Sequence, residues 1–327
     1  MIERHVEAWY NMAIRALKLS FEEPKVPKPA SLIFLGLGGS GIVGDYIKAL
    51  GHDKLDIPIH VIKEARIPRW VGKESLVIAI SYSGNTLETI EATRDALNRG
   101  SMVYIVSSNG ELIEYARQKG LPYIKLDEGY APRAALPLML YSCLKLLDSL
   151  GLCIADKRAI EESLELLKVI TQNKAIAEEV AQSLAEGGMP SIIADARFEA
   201  LALRFKNDLN ENAKMSAKCE IIPEAMHNDI VGYERGICPQ KALILNADDN
   251  HFYTKLIEEF VEKTLRKFHV QTLTLRLRGK SMLAKLMYGS HISSLMSIAI
   301  AKKHSVNPDL TISISEYKKT LKELLPH

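Results

Sequence analysis

Two short turns gather groups that can hold an anion. Gly36-Leu37-Gly38-Gly39-Ser40-Gly41 follows the apolar run 32–35 and opens a helical pattern in which Ile42, Val43, Tyr46, Ile47 and Leu50 recur. Ser81-Tyr82-Ser83-Gly84-Asn85-Thr86 follows the run 75–80. Asn85 with Glu88 three residues on reads as a helix N-terminal capping pair ahead of Leu87, Ile90 and Leu97. Each turn therefore joins the end of a strand to the start of a helix, where unpaired N–H groups and the helix dipole favour negative charge. Gly39, Ser40, Ser81, Ser83 and Thr86 are the expected ligand contacts.

The glycines alone do not settle the anion. Gly36-x-Gly38-x-x-Gly41 fits a dinucleotide fingerprint, and Asp56 is available as the ribose-binding acid. The plain alternative is a tight, solvated turn with no ligand. The second turn favours a phosphate monoester, because it places three aliphatic hydroxyls within six residues and a purely structural turn needs none of them.

Together the two turns resemble the sugar isomerase (SIS) domain, a flavodoxin-like module that binds phosphosugars. Asn207-Asp208-Leu209-Asn210-Glu211-Asn212-Ala213-Lys214 and Glu224-Ala225-Met226-His227-Asn228-Asp229-Ile230 narrow the match. They resemble signatures of the bifunctional phosphoglucose/phosphomannose isomerases, found mainly in archaea and some bacteria, and the resemblance covers almost the whole chain. It implies aldose-ketose isomerisation between glucose 6-phosphate or mannose 6-phosphate and fructose 6-phosphate. That reaction needs a base to move a proton between carbon-2 and carbon-1, a group to stabilise the enediolate, and an acid/base to open the ring.

The resemblance assigns the base to Glu211. Read from the residues alone, Glu211 lies off the apolar stripe Phe198, Leu201, Phe205 and Leu209 and is a solvated carboxylate near a helix end. His227, an ordinary helix or loop histidine in isolation, is implied to open the ring from the partner subunit of a homodimer. Arg133 lies at the carboxyl end of the last first-domain strand, where open α/β sheets bind ligands, and its guanidinium suits an enediolate; a surface ion pair is the alternative. Thr311 and Lys318 match the threonine and lysine of the family's closing helix, with Lys319 competing for the second role and an amphipathic terminal helix as the alternative. Thr311 would leave room for rotation about carbon-2 to carbon-3, so that one base serves both epimers.

The elements that must position these residues follow from periodicity. A helical pattern through Val6, Tyr10, Ala13, Ile14 and Leu17 ends before a proline-rich stretch at 24–29, closing an N-terminal segment over 1–29. Apolar runs at 32–35, 57–62, 76–80, 102–106 and 123–126 alternate with helices, which predicts a doubly wound parallel sheet in a first SIS domain over 30–153. A helix over 157–184 leads to Gly187-Gly188-Met189-Pro190 and a second, degraded copy over 154–310. Its strands are expected at 191–194, 219–222, 242–246 and 272–277, with helices over 196–215 and 282–304. After Ala194 the copy reads Asp195-Ala196-Arg197, without glycines, so one half binds phosphate and the other supplies chemistry. Residues 311–327 form a closing helix. The fold class is α/β, with two flavodoxin-like SIS domains and terminal helices.

Composition excludes several other roles. A chain of 327 residues suits two domains, and with 47% hydrophobic and 25% charged residues it is globular throughout. A net charge of +2 argues against nucleic acid and acidic membranes; the most basic stretch, Arg276-Leu277-Arg278-Gly279-Lys280, alternates as a strand end does. No apolar run reaches spanning length and the N-terminus lacks a signal pattern, which predicts a cytoplasmic protein. Nine histidines include no metal-binding spacing, so no metal is expected, and the resemblance implies no redox or nucleotide cofactor. Cys143, Cys153, Cys219 and Cys238 show no C-x-x-C spacing and are expected as buried thiols, a disulfide staying open for a hyperthermophile source. The rivals are another SIS isomerase, acting on a pentose or amino-sugar phosphate, and a non-catalytic phosphosugar-binding regulator.

Overall fold

The computed structural model describes residues 1–23, 28–234 and 241–324. Within them every expected strand forms. β1 (Ser31–Leu35), β2 (Ile59–Ile62), β3 (Ser75–Ile80), β4 (Met102–Ser107) and β5 (Tyr123–Lys125) pair in the order β2-β1-β3-β4-β5, all parallel. Continuous apolar runs do this because a parallel sheet covered by helices buries both faces of each central strand. β1 and β3 are buried along their whole lengths. They are also neighbours, and the chain leaves β1 for β2 on one side and β3 for β4 on the other. Their carboxyl ends therefore frame the crevice where such sheets bind ligands.

The second sheet repeats the plan with four strands. β6 (Ser191–Asp195), β7 (Lys218–Ile222), β8 (Lys241–Asn246) and β9 (Gln271–Arg276) run parallel in the order β7-β6-β8-β9.

Helices α1 (Ile2–Glu7) and α2 (Trp9–Lys18) replace the single N-terminal helix expected, with a break at Ala8. In the first domain α3 (Gly38–Gly51), α4 (Leu87–Asn98) and α5 (Glu111–Lys119) connect the strands, and α6 (Leu136–Ser149) closes the unit. The helix expected over 157–184 is two, α7 (Lys157–Lys168) and α8 (Ile170–Leu184), separated at Val169. The second domain adds α9 (Glu199–Asp208), then α10 (Phe252–Lys267), which the periodicity did not predict, and α11 (Met282–Lys303). α12 (Ile312–Leu324) ends the described chain.

One core runs through both domains, and α11 is its axis. Small residues let neighbouring helices approach α11 closely: a Cβ on Gly289 would lie 2.5 Å from a Leu201 methyl group. The Ser290 hydroxyl shares a 2.6 Å hydrogen bond with Tyr46 of α3. Long as it is, α11 does not qualify as a membrane span, nor does any other helix among the described residues.

The cysteines depart from expectation in one place. Cys143 is buried and Cys219 half-buried, but Cys153 is exposed, because it follows the end of α6 in a surface connection. All three are free thiols, and Cys238 lies outside the described residues. So do residues 24–27 of the proline-rich stretch.

Candidate active site

The two turns meet as their position at β1 and β3 requires. α3 and α4 both begin without a side-chain cap, so their first N–H groups are open to an external anion. The expected Asn85–Glu88 cap is absent. Asn85 Oδ1 accepts the Glu111 N–H at the start of α5 instead, and Glu88 accepts a 2.7 Å hydrogen bond from Tyr317 of α12.

Ser40 is buried, and its hydroxyl accepts the Tyr82 N–H at 3.1 Å, which fastens one turn to the other. Ser81 donates to Thr86 at 3.1 Å, and the half-buried Ser83 hydroxyl accepts the Asn85 N–H at 3.4 Å. Gly84 has φ +67°, and a Cβ there would collide with the Asn109 carbonyl oxygen at 1.7 Å, so the second turn needs glycine.

From the second turn the Tyr82 hydroxyl reaches the loop that carries Arg133, donating to the Asp127 carbonyl at 2.8 Å and accepting the Tyr130 N–H at 3.1 Å. The first turn touches the same loop. A Cβ on Gly39 would lie 2.9 Å from Arg133 Cα and from the Pro132 carbonyl oxygen. The absent side chain is what lets this backbone pass.

Arg133 is buried, and its Nη1 stands 3.8 Å from Glu211 Oε2. The pair bridges the two domains. Glu211 lies not in α-helix but in a single π-helical turn, Leu209–Ala213, that follows α9. Such a turn rotates the residues beyond it relative to the α-helical stripe, and π-turns recur at functional sites. This is why the solvated carboxylate expected from the stripe is instead only a quarter exposed. Burial raises the Glu211 pKa above the usual carboxylate value, Arg133 opposes that rise, and Asp208 adds to it.

Behind the pair stands a buried polar frame. Arg204 and Asp208, each 2% exposed, pair at 2.9 Å, and Asp208 Oδ2 also accepts the hydroxyls of Ser293 and Ser294 on α11. Removing one partner of such a pair costs about 3–5 kcal/mol. Lys214, at φ +56°, ends the π-turn and donates to the carbonyls of Asn307 and Leu310 at 2.8 and 2.7 Å. Burial lowers its pKa, with Arg133 next in effect. These bonds draw the segment before α12 over the π-turn. The result is a cavity of about 640 Å³ lined by Glu211, Lys214, Asn307 and Thr311, of a size that takes a small ligand.

His227 and Lys318 are not brought to this cavity. His227 is exposed on a 3₁₀ turn, Glu224–His227, and lines a separate groove with Met226, Tyr253, Leu256 and Phe260. Lys318 is exposed on α12, next to Tyr317, and makes no side-chain hydrogen bond or ion pair among the described residues. Its rival Lys319 faces Glu323 at 3.8 Å. No group of three His, Cys, Asp or Glu able to hold a metal occurs among the described residues.

Sequence reasoning missed Asn212, Arg204 and Asp208. Asn212 and Asp208 lie in the polar string around Glu211, and Arg204 carries no local signal.

Two parallel doubly wound sheets sharing one core place the chain in the SIS class of phosphosugar-isomerase folds. Residues 173–321 match the family model for the bacterial phospho-glucose isomerase C-terminal SIS domain. The fold is shared with tagatose-6-phosphate ketose/aldose isomerase from Escherichia coli, at TM-score 0.71 and 15% identity over 94% of each chain. In sequence the chain is 31% identical to the bifunctional phosphoglucose/phosphomannose isomerase of Aquifex aeolicus over 97% of both chains. It is 30% identical to that of Aeropyrum pernix over 97% of this chain and 96% of that one. The chain belongs to the bifunctional phosphoglucose/phosphomannose isomerase family.

Proposed function

We propose that this protein interconverts glucose 6-phosphate and mannose 6-phosphate with fructose 6-phosphate through an enediolate, without a metal or redox cofactor. The observation that carries this is the Arg133–Glu211 pair, a half-buried carboxylate of raised pKa facing a buried guanidinium beside a ligand-sized cavity. A carboxylate whose pKa is raised toward working pH is a better proton acceptor than a solvated one. Glu211 takes the proton from carbon-2 and returns it to carbon-1. Arg133 stabilises the charge that develops on the substrate oxygens.

The phosphate sits on the uncapped starts of α3 and α4, with Ser81, Ser83 and Thr86 adding hydroxyls and Gly39 and Ser40 shaping the crevice. Thr311 shares the cavity with Glu211, which supports its place beside the reacting carbons. Lys318 reaches the sugar from α12, and the Tyr317–Glu88 contact, which ties that helix to the start of α4, supports the assignment.

His227 opens the ring in the partner's site of a homodimer. Its groove is lined by exposed Tyr253, Leu256 and Phe260, an apolar surface that a second copy would cover. The setting is the cytoplasm.

A coupled assay with each aldose phosphate, run with and without exhaustive chelation, tests the proposal. Turnover of both substrates, unchanged by chelator, is expected. Turnover of neither, or loss on chelation with recovery on adding a divalent ion, would place the protein in another mechanistic class.

A further inference from the structure

The guanidinium facing Glu211 is held by two hydrogen bonds, and neither partner is Glu211 itself. Arg133 Nε donates to Asn212 Oδ1 at 2.8 Å, and Nη2 donates to the Pro308 carbonyl at 2.5 Å. The main chain of Arg133 is fixed as well, since its carbonyl accepts Arg204 Nη2 at 2.8 Å. Asn212 is itself anchored, because its Nδ2 donates to the Ser297 hydroxyl of α11 at 2.9 Å and the residue is fully buried. The remaining distance, 3.8 Å from Nη1 to Glu211 Oε2, is beyond a hydrogen bond.

An arginine left free beside a carboxylate forms a bidentate, charge-assisted contact at about 2.7–2.9 Å. Here the geometry prevents it. Asn212 is the next residue after Glu211 in the same π-turn, so the residue that holds the guanidinium and the residue it faces move as one piece.

We propose that Asn212 is a positioning residue that holds Arg133 off Glu211, leaving the carboxylate free to accept a proton while the positive charge stays within reach of the substrate. The proposal rests on Glu211 acting as the base. The other charged groups that face Glu211 are Arg204 and Asp208 on α9 and Lys214 after the π-turn. Those groups keep their own partners when Asn212 is changed, whereas Arg133 loses its Nε acceptor, so it is the group whose distance from Glu211 changes.

Asn212→Leu keeps the bulk of the side chain and removes both hydrogen bonds. Arg133 then closes on Glu211, and a cation in contact lowers a carboxylate pKa. The acid limb of kcat/KM against pH should move down by about one pH unit, with kcat reduced. Ser297→Ala, which only loosens the anchor, should move it the same way by less. Asn212→Asp keeps an acceptor for Nε and should not move it down.

The Glu211 carboxyl resonance in ¹³C-glutamate-labelled protein, assigned with Glu211→Gln, reads the same titration without turnover. A limb and a resonance midpoint that stay put or rise in Asn212→Leu overturn the proposal even in an active isomerase. If the wild-type chain isomerises neither aldose phosphate, the functional proposal fails separately, and the resonance still decides the role of Asn212. Should Asn212→Leu not fold, the midpoint in Ser297→Ala decides, a fall supporting the proposal and no change overturning it.

Discussion

The hydroxyl of Tyr317, on the last helix, lies 2.7 Å from the carboxylate of Glu88 in the first turn of α4. It joins the C-terminal helix to the helix that opens from the second hydroxyl-bearing turn, 229 residues earlier in the chain. Elsewhere on α12, Ile312, Ile314 and Leu324 are exposed. Tyr317→Phe should therefore raise the KM for fructose 6-phosphate by less than about fivefold, since an exposed polar contact contributes little. Amide exchange in α12 should quicken while that of α11 stays unchanged. Unaltered exchange in α12 would show that the contact does not hold the helix.

Glu211→Gln tests whether one base serves both substrates. Both aldose phosphates can share an enediolate, so the two activities should fall together, by on the order of 10²-fold or more if proton transfer limits the rate. Loss of one activity alone would require a second base.

The same substitution has a stability signature. Because burial raises the folded-state pKa of Glu211, its ionised form is the one disfavoured by folding. That stabilising preference for the proton is fully present below the unfolded carboxylate value of about 4.3 and is lost as pH rises through the folded value. At neutral pH Glu211→Gln should raise the melting temperature, and the difference should shrink in acid. A lower melting temperature at neutral pH would mean that the Arg133 contact outweighs burial.

Phosphate affinity should depend on the second turn. A hydrogen bond to a charged group contributes about 1.5–3 kcal/mol, so Ser83→Ala should weaken fructose 6-phosphate about tenfold or more. Calorimetry showing unchanged affinity would remove Ser83 from the site.

Mixing inactive Glu211→Gln with inactive His227→Ala chains, under conditions of subunit exchange, should restore part of the activity. His227 and Glu211 line different cavities of one chain, and the proposed shared site would draw them from two chains. Mixed dimers that form yet stay inactive would return His227 to its own subunit's site.

The sheets were legible because their strands are unbroken apolar runs ended by glycine and hydroxyl residues, signals that survive without tertiary information. The breaks at Ala8 and Val169 carry no glycine or proline, so packing alone decides them. α10 escaped notice because it is apolar on two sides: Val261 and Leu265 are buried, while Phe252, Leu256 and Phe260 face outward and blur the period. The cap expected at Asn85 does not form because its acceptor is taken by a helix that begins 26 residues later. Arg133 and Glu211 were both singled out from sequence, but their environment was not legible. It depends on Pro308, 175 residues from Arg133, and on a π-turn that no local pattern announces.

At the end of β6, Asp195 accepts the Arg197 N–H at 2.8 Å and the Thr254 hydroxyl at 3.0 Å. The Arg197 N–H is the counterpart of the open donors after β1, and Thr254 comes from α10, the helix that follows β8. The second copy of the fold thus carries its own anion, covalently attached, at the place where α3 of the first copy begins without a side-chain cap. With the donors at the end of β6 already taken by Asp195, each chain should bind one sugar phosphate at saturation, although it carries two crevices of the same plan.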